Sequence, residues 1–458
     1  MRDLVIVGGG PGGYVAAIRA TQLGMTVSLI EREMLGGACV NWGCIPTKAY
    51  YGNAAVLRTL SRLSNFNVSS DGYVFNMAGA LERKDRIVAN MAAGVAGLLK
   101  GNGVEVINGT ATIASPGKVM VDGNALNCCR ILIASGAAPA SLNIPGIDSP
   151  GVMTCKDILN LDKVPERLAI IGGGAIGVEV ACIFRAFGSR VTVFEALPTI
   201  LSSLDKELGK RLTVHLKRQQ IEVHTSARLT AIEPFKKGLR MIAQRLGGEL
   251  TVEADVVLIA AGMKPHTDGL GLEHLGIRMR EHSIQVDIHY ETSVKDIYAI
   301  GDVIGGFMLA HVASEEGIAA VEIMEGRNCQ VAYHAVPQCI FAFPEAASVG
   351  LSEEAAMDRG ISYKTGRCLY GISGQAMAIG ESEGMVKVLA GQDGTILGVH
   401  ILGVHAVELI QEATLMVHQG LTISDACQVI HPHPTLGEIL KEAVLDASGR
   451  AIHIKPKK

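Results

Sequence analysis

The sequence predicts an α/β protein in which one parallel-sheet domain occurs twice and is followed by a smaller α+β unit. A run of apolar strand, glycine turn and amphipathic helix opens the chain and recurs near residue 168. Glycine supplies 54 of the 458 residues, which is typical of chains with many tight turns and close backbone approaches. The length is about three times that of one typical domain, so we expect several domains.

The first copy, residues 4–31, contains the pattern G-x-G-x-x-G in Gly8, Gly10 and Gly13. In such a turn the first glycine allows the bend, the second lets a pyrophosphate approach the backbone, and the third allows close helix–strand packing. The following helix supplies free N–H groups and the positive end of its dipole. Glu31 ends the second strand, where a carboxylate can bind a ribose diol. Taken alone, the pattern is also compatible with an ordinary glycine turn.

The second copy, residues 168–195, repeats this plan with Gly172, Gly174, Gly177 and a terminal Glu195. The interval from the first glycine to the glutamate is 23 residues in both copies. Two unrelated turns would not be expected to share that spacing. The repetition therefore favours two Rossmann-like dinucleotide-binding domains.

The duplication extends further along the chain. The segment ILIASGAAP (131–139) corresponds to VLIAAGMKP (257–265), because each is an apolar strand followed by glycine and a turn that ends in proline. Between equivalent glycines the first copy is about 38 residues longer than the second. We place the additional residues in 36–100, which includes a helical pattern from 73 to 100.

Composition excludes several classes of partner. Lysine and arginine total 41 against 45 aspartates and glutamates, a net charge of −4, which argues against nucleic acid or an anionic membrane as the main partner. No run of eighteen apolar residues and no signal-peptide pattern is present. Most of the ten cysteines stand alone, as reduced thiols usually do. We therefore expect a cytoplasmic protein.

Two cysteines lie in the additional residues, within GGACVNWGCIPTK (36–48). On a regular helix the Cα atoms of Cys39 and Cys44 would be about 8.6 Å apart, beyond the limit of roughly 7 Å for a disulfide. Bridging them would require a distorted backbone, for which the segment offers Asn41, Gly43 and Pro46. The alternatives are two unrelated core cysteines or half of a zinc site, although zinc would need a second Cys or His pair at matching spacing.

Residues 337–458 form a third unit with two apolar strands, a helix at 405–418 and the motif HPHPTLGE at 431–438. His431 and His433 both precede proline, which biases their backbones towards extended conformations. An H-x-H pair on a strand can bind a metal, but no third ligand is near in sequence. A pair with a structural or helix-capping role is the other interpretation.

The motif around the two cysteines resembles the redox-disulfide signature of the flavoprotein disulfide reductases, and the likeness extends over essentially the whole chain. The segment YAIGDVIGGFMLAHVASEEG (298–317) resembles the second flavin motif of that family, in which an aspartate, here Asp302, contacts the ribitol chain. From local sequence alone, Asp302 could equally be a solvated loop acid. The resemblance implies a C-terminal dimerisation domain and the boundaries 1–145 and 268–336 for FAD binding, 146–267 for NAD binding, and 337–458 for dimerisation.

The resemblance implies FAD in the first copy and NAD in the second. The FAD-binding residues would be Gly8, Gly10, Gly13, Glu31, Lys48, Ala111, Ser135, Gly136, Asp302, Met308, Leu309, Ala310 and His311. The NAD-binding residues would be Gly172, Gly174, Gly177, Glu179, Glu195 and Gly262. The carboxylate of Glu195 favours the free 2′-hydroxyl of NAD over the 2′-phosphate of NADP. Lys48 and Glu179 would pair near the flavin, whereas their sequence context alone suggests surface charges.

The motif H-x-H-P-T-x-x-E resembles that of the dihydrolipoamide dehydrogenase family. This likeness implies that His433 is the general base, that Glu438 orients it, and that the His433–Pro434 bond is cis. Cys39 would be the interchange sulfur, and Cys44 the flavin-side thiolate with a lowered pKa. In that family the histidine faces the disulfide of the other subunit, so the active site would lie across a two-fold interface.

The expected activity is therefore reoxidation of dihydrolipoyl groups with NAD, by a homodimer that belongs to a 2-oxoacid dehydrogenase or glycine-cleavage complex. A glutathione reductase is disfavoured by Glu195 and His431. A mercuric reductase needs a C-terminal cysteine pair, whereas the last cysteine here is Cys427. A non-catalytic flavin-binding subunit would not need both the cysteine pair and the His–Glu motif.

Three features depart from the family pattern. Met263-Lys264 replaces the Arg-containing turn that follows Gly262, Trp42 lies between the two cysteines, and Cys128-Cys129 are adjacent. We interpret Trp42 as a packing residue rather than a determinant of substrate access. We interpret the adjacent cysteines as ordinary thiols rather than a second redox site.

Overall fold

The first glycine-rich copy folds around a mostly parallel sheet in the computed structural model, which describes residues 1–455. Strand β1 pairs in parallel with β2 on one side and β6 on the other, and the strand order is β3-β2-β1-β6-β5-β4. The strands are β1 (Arg2–Val7), β2 (Val27–Glu31), β3 (Glu105–Asn108), β4 (Ala111–Ser115), β5 (Lys118–Val121), β6 (Asn124–Ile133) and β7 (Ala137–Pro139). The helices are α1 (Pro11–Gln22), α2 (Gly37–Asn41), α3 (Cys44–Leu60) and α4 (Met77–Gly101).

The second copy has the same parallel arrangement, in the order β11-β10-β9-β15-β8, with a three-stranded antiparallel extension β12-β13-β14. Its strands are β8 (Val152–Met153), β9 (Arg167–Ile171), β10 (Arg190–Phe194), β11 (Ile221–His224), β12 (Ala227–Phe235), β13 (Gly238–Arg245), β14 (Gly248–Ala254), β15 (Val256–Ile259) and β16 (Met263–Pro265). Its helices are α5 (Cys155–Ile158), α6 (Ala175–Phe187) and α7 (Lys206–Arg218).

The next segment returns to the first sheet. Its last strand pairs in parallel with β6, so residues on either side of the second copy share one sheet. The elements are α8 (Leu272–Leu275), β17 (Met279–Arg280), β18 (Ser283–Ile284), β19 (Ile297–Ala299), a 3₁₀ turn (Gly301–Ile304) and α9 (Ala310–Met324). Helix α9 packs directly on α1, where a Cβ atom at Gly317 would come within 2.6 Å of the Gly12 carbonyl oxygen.

The C-terminal unit is a five-stranded antiparallel sheet with helices against it, in the strand order β20-β21-β24-β23-β22. The strands are β20 (Gln338–Ile340), β21 (Glu345–Gly350), β22 (Tyr363–Leu369), β23 (Met385–Gly391) and β24 (Ile396–Gly403). The helices are α10 (Glu353–Asp358), α11 (Gly374–Ala378), α12 (Ala406–His418), α13 (Ile423–Gln428) and α14 (Gly437–Ala447). Among the helices of residues 1–455, none is long and apolar enough to cross a membrane.

The additional residues of the first copy form the three helices α2, α3 and α4, where the second copy has only α7 between the equivalent strands. The predicted helix from residue 73 begins instead at Met77. The Asn76 side chain accepts a hydrogen bond from the Gly79 N–H and caps the first turn. Similarly, the helix predicted from residue 405 begins at Ala406, because His405 has a left-handed backbone.

Helix α3 packs into a core shared by all three parts of the chain. Tyr50 and Ala54 of α3 belong to the same buried apolar cluster as Phe184 of α6 and Phe343, which precedes β21. The two repeated glycine–proline segments also meet, since β7 pairs antiparallel with β16. The shared core places the cysteine helix between the second copy and the C-terminal sheet.

Candidate active site

The helix breaks between the two cysteines. Helix α2 ends before Trp42 and α3 begins at Cys44, because Trp42 and Gly43 have non-helical dihedral angles. A Cβ atom at Gly43 would lie 2.9 Å from the Ala38 carbonyl oxygen, so the break accommodates a side chain poorly at that position. The break lets the thiols of Cys39 and Cys44 approach within hydrogen-bond contact, which a continuous helix would prevent.

The two thiols have opposite acid–base character. The hydrogen bond from Cys39 and the nearby Lys48 ammonium lower the pKa of Cys44 to about 7, although burial opposes both effects. The same hydrogen bond, together with burial, raises the pKa of Cys39. Near neutral pH a large fraction of Cys44 is therefore thiolate, whereas Cys39 stays protonated.

Lys48 lies one helical turn after Cys44, on the same side of α3. Its Nζ atom is 2.8 Å and 3.0 Å from the two carboxylate oxygens of Glu179, a residue of α6 whose side chain is only 7% exposed. The same Nζ lies 4.3 Å from the ring centroid of Phe341. The ammonium is thus held by an acid from the second copy and an aromatic ring from the C-terminal unit.

The two glycine turns are alike at atomic level. Gly8 and Gly172 have φ angles of 108° and 114°, in the region that favours glycine. In both copies, the glutamate at the end of the second strand accepts hydrogen bonds from two backbone N–H groups at 2.7 Å. For Glu31 these donors are Gly9 and Glu33, and for Glu195 they are Gly173 and Leu197.

Both turns have room for a dinucleotide. Gly10 and Gly174 precede α1 and α6 without a side-chain cap, which leaves the first N–H groups of each helix available to a phosphate. A Cβ atom at Gly174 would meet nothing within 4 Å, and one at Gly10 would come no nearer than 3.8 Å to the Gly37 Cα. The backbone donors and the open space before them fit a pyrophosphate in each copy.

We expect Gly13→Ala to destabilise the fold by about 1–3 kcal/mol, because its methyl group would be forced against neighbouring atoms. A Cβ atom there would lie 1.9 Å from the Gly8 carbonyl oxygen. Thermal unfolding measures the loss. The matched change Gly10→Ala should leave stability unchanged but weaken FAD binding, because its methyl group enters the open space before α1. Equal melting temperatures for wild type and Gly13→Ala would contradict the packing argument.

Several predicted FAD-binding residues meet at the carboxyl ends of neighbouring parallel strands. Gly8 follows β1, Ser135 and Gly136 follow β6, and Asp302 follows β19 in the 3₁₀ turn. Burial raises the pKa of Asp302. The charge of this carboxyl group raises the pKa of Cys39, so the group lies close to the cysteine pair. The carboxyl ends of these strands of the first sheet therefore lie near the two thiols.

The remaining predicted residues lie around the same edge. Ala111 begins β4 shortly after Gly109, whose N–H donates to the Glu31 carbonyl. Met308 has a positive φ, and Leu309 and Ala310 form the N-terminal end of α9. His311 bonds through Nε2 to the Pro337 carbonyl oxygen at 3.0 Å. Gly262 lies at the corresponding position of the second copy, with open space at its Cα.

The two histidines of the C-terminal motif have different surroundings. The side chain of His433 is 80% exposed, and its Nδ1 lies 2.9 Å from Glu438, which also accepts the Thr435 N–H. These two hydrogen bonds, that of Thr435 first, lower the pKa of Glu438. The ionised carboxylate places a proton on Nδ1 of a neutral ring and leaves Nε2 as the basic nitrogen. The His433–Pro434 bond is cis.

The side chain of His431 is only 6% exposed, and its two ring nitrogens bond to Glu412 at 2.9 Å and to the Val429 carbonyl at 3.3 Å. No group of three metal-ligating side chains occurs within residues 1–455. Across that same range, no hydrogen bond or ion pair joins His433 to the cysteine pair of its own chain. The exposed base therefore has its basic nitrogen available to another molecule.

Comparison with known proteins places this geometry in a family. Residues 2–317 match the model of the pyridine nucleotide-disulphide oxidoreductases, and residues 336–444 match the dimerisation domain of the same group. The chain belongs to the pyridine nucleotide-disulphide oxidoreductases. This confirms the predicted family and the predicted fold class of two dinucleotide-binding domains followed by a dimerisation domain.

Relatives within the pyridine nucleotide-disulphide oxidoreductases match over the full length. A dihydrolipoyl dehydrogenase of Bacillus subtilis (strain 168) is 40% identical over 98% of this chain and 99% of its own. One from Geobacillus stearothermophilus is 38% identical over 99% and 97%. LpdA from Mycobacterium tuberculosis superposes with a TM-score of 0.88 at 26% identity, covering 97% and 99%. The HOCl-induced flavoprotein disulfide reductase RclA from Escherichia coli gives 0.86 at 27%, covering 96% and 99%.

Two departures from the family pattern can be located in the structure. The Lys156 ammonium lies 5.7 Å from the Trp42 ring centroid, in keeping with a packing role for the tryptophan. Met263 and Lys264 form β16, opposite Pro139 and Ala138 of β7, so this turn connects the two copies.

The adjacent cysteines of this pyridine nucleotide-disulphide oxidoreductase are consecutive on β6. Consecutive side chains of a strand point to opposite faces. Cys128 is buried, and burial raises its pKa to about 11, whereas Cys129 is exposed. The interpretation of the two as ordinary thiols stays a prediction.

Sequence reasoning missed two residues of the site. Phe341 contacts the Lys48–Glu179 pair, and Glu412 holds His431. The segment PQCIFAFPE around Phe341 stands out only as the start of the C-terminal unit. No motif or spacing connects it with Lys48, which is nearly three hundred positions earlier in the chain.

Proposed function

We propose that this protein is a dihydrolipoyl dehydrogenase, which oxidises dihydrolipoyl groups to the cyclic disulfide and passes the electrons through FAD to NAD. The observation that carries the proposal is the cysteine pair at the helix break, with one thiol acidified and the other not. The pair occurs in the same chain as an exposed, carboxylate-oriented histidine. Full-length relatives that bear the name dihydrolipoyl dehydrogenase support the choice of substrate.

The proposed reaction begins with the cysteine pair oxidised to a disulfide. The Nε2 atom of His433 accepts a proton from one dihydrolipoyl thiol, and the resulting thiolate attacks the sulfur of Cys39. A bond forms between Cys39 and the substrate sulfur while the Cys39–Cys44 bond breaks, and Cys44 leaves as a thiolate. The second substrate thiol then loses its proton and attacks the first substrate sulfur. This closes the lipoyl disulfide and releases Cys39, whose sulfur takes up that proton.

The acid–base asymmetry of the pair supports this division of roles. A thiol with a low pKa leaves faster, and the pKa of Cys44 is about 7. Two electrons from the substrate dithiol remain on the cysteine pair when the lipoyl disulfide departs. Lys48 stabilises the negative charge that this step leaves on Cys44.

Residues of the two glycine turns would hold the cofactors. Gly8, Gly10 and Gly13 with Glu31 would bind FAD, and Gly172, Gly174 and Gly177 with Glu195 would bind NAD. When bound, FAD supplies the two-electron transfer that connects the thiols to the nicotinamide ring. In this proposal residues 1–145 and 268–336 form the FAD domain, 146–267 the NAD domain, and 337–458 the dimerisation domain.

The exposed His433 would serve the cysteine pair of a second copy, in a homodimer. Its basic nitrogen is available to another molecule, and the C-terminal unit matches the dimerisation domain of the family. The lipoyl group would be carried on a partner protein of a 2-oxoacid dehydrogenase or glycine-cleavage complex. An isolated subunit would have the cysteines without the base.

An anaerobic assay of the purified protein with dihydrolipoamide and NAD tests the proposal directly. We expect rapid formation of NADH, much slower reaction with NADP, and no reduction of glutathione disulfide by NADPH. Absence of NADH formation with a protein that contains FAD would overturn the choice of substrate. Reduction of glutathione disulfide instead would support the rival glutathione reductase.

We expect Glu195→Gln to raise the KM for NAD by about tenfold and to improve the use of NADP. The carboxylate favours the ribose diol and repels a 2′-phosphate, and a charge-assisted hydrogen bond contributes about 1.5–3 kcal/mol. Steady-state kinetics with both cofactors measure the change. Glu222→Gln is the matched control, because this 68% exposed carboxylate lies on the neighbouring strand β11. An unchanged ratio of NAD to NADP use would count against Glu195 as the selector.

A further inference from the structure

One face of helix α3 lies against the C-terminal unit. Tyr51 stacks on Phe343 with ring centroids 4.7 Å apart, and its hydroxyl donates to Glu345 at 3.1 Å. Further along the helix, Arg58 bonds to both carboxylate oxygens of Glu381 at 2.6 Å and 3.0 Å. The helix that carries Cys44 is therefore aligned by side chains from the C-terminal unit.

Phe341 is the member of this contact nearest the thiols. Its ring centroid lies 4.3 Å from the Lys48 Nζ, within the range of a cation–π interaction. Its backbone N–H donates to Glu179 Oε1 at 3.0 Å, the same carboxylate that pairs with Lys48. Tyr51 packs edge-on against the ring at 5.6 Å and fixes its orientation. One residue therefore contacts both members of the ion pair.

We propose that Phe341 is a positioning residue for the redox reaction: its ring and its backbone N–H hold Lys48 and Glu179 where the ammonium stabilises the Cys44 thiolate. The inference rests on the proposed function in one respect, which is that the Cys44 thiolate takes part in the oxidation of the substrate. The position of the ammonium is a property of the protein whether or not a lipoyl group is the substrate.

Several charged and titratable groups near the two cysteines influence their pKa values, and Phe341 can act on Cys44 only through one of them. Cys39 and Lys48 lower the pKa of Cys44, and Glu179 raises it. The charge of Asp302 raises the pKa of Cys39. Cys339 lies near Lys48, but burial raises its pKa to about 11, so it is neutral near pH 7. Lys48 is the cation of this set, and Phe341 is an aromatic contact of that cation.

The test is the pH dependence of Cys44 alkylation in the FAD-containing protein, in a Cys39→Ser background that keeps a hydrogen-bond donor beside Cys44. Iodoacetamide modification of the peptide that contains Cys44 is followed by mass spectrometry, so the other cysteines do not interfere. We expect Phe341→Leu to shift the midpoint upwards by about half a pH unit, because the Lys48 ammonium is then held less firmly beside the Cys44 thiolate. Lys48→Met should shift it further.

Two variants separate this role from simple packing. Phe341→Tyr keeps an aromatic face and should restore the original midpoint. Phe343→Leu removes an aromatic ring that stacks on Tyr51 and lies over Arg58 rather than Lys48, so it should leave the midpoint in place. If Phe341→Leu does not fold, Phe341→Met fills a similar volume without a ring and carries the same prediction.

The proposal is overturned if Phe341→Leu leaves the midpoint unchanged while Lys48→Met shifts it. It is also overturned if Phe343→Leu produces the same shift, because loosening of the whole contact would then be the cause. Thiol titration needs no lipoyl substrate. If Phe341→Leu shifts the alkylation midpoint but the wild-type protein does not oxidise dihydrolipoamide, the proposed function alone is overturned. If the protein oxidises dihydrolipoamide but Phe341→Leu leaves the midpoint unchanged, the positioning role alone is overturned.

Discussion

We expect Cys44→Ser to lower the turnover of dihydrolipoamide with NAD by roughly 10⁴-fold or more, as removal of a reacting group does in other enzymes. Serine cannot form the disulfide that accepts the substrate electrons. Anaerobic steady-state kinetics measure the loss.

The control for this change is Cys129→Ser, which replaces an exposed thiol on β6 outside the site. It should leave turnover and FAD content as they are. Cys44→Ser should also retain FAD, because the glycine turn and Glu31 are untouched. Substantial lipoamide turnover by Cys44→Ser would mean that the electrons take a route other than the cysteine pair.

We expect His433→Gln to lower the same turnover by about 10²–10⁴-fold, the usual contribution of a positioned general base. The FAD content should be unchanged, because the His433 side chain is 80% exposed and its described partner is Glu438. The residual rate should rise steeply with pH, since the substrate thiol must then lose its proton to water. His405→Gln supplies a matched histidine outside the motif, at the start of α12.

Mixed dimers decide which chain supplies the base. Subunits carrying Cys44→Ser and subunits carrying His433→Gln are each expected to be inactive as homodimers. If the base acts across a two-fold interface, random reassociation restores about a quarter of the wild-type activity, because half of the dimers gain one complete site. If each chain uses its own His433, no activity returns, and the proposed arrangement of the site is wrong.

The structural features that depend on the spacing of residues could be predicted from local sequence. The glycine turns could be predicted because φ angles of 108° and 114° and contacts as close as 1.9 Å admit almost no other residue. The break between the cysteines could be predicted in part, since a five-residue spacing on an unbroken helix is too long for a disulfide. The low exposure of the His431 side chain and the high exposure of the His433 side chain could not be predicted, because Glu412 reaches His431 from helix α12.

The environment of Lys48 shows why the remainder required a structure. Its partners are Glu179 and Phe341, which come from two other parts of the chain and reach the lysine only after the three units have packed together. A charge on a helix gives no local sign of such partners. Only the family resemblance suggested Glu179, and nothing in the sequence suggested Phe341.

The shared core around α3 limits how members of this family can exchange parts. Tyr50 and Ala54 of the cysteine helix are buried against Phe184 and Phe343, and the helix is anchored to Glu381 beyond them. A recombination event between relatives near residue 336 would thus separate Lys48 from the Phe341 with which it occurs here. We expect chimaeras joined at this point to fold, because their sheets are compatible. The pKa of Cys44 in such a chimaera should nevertheless differ from that in either parent.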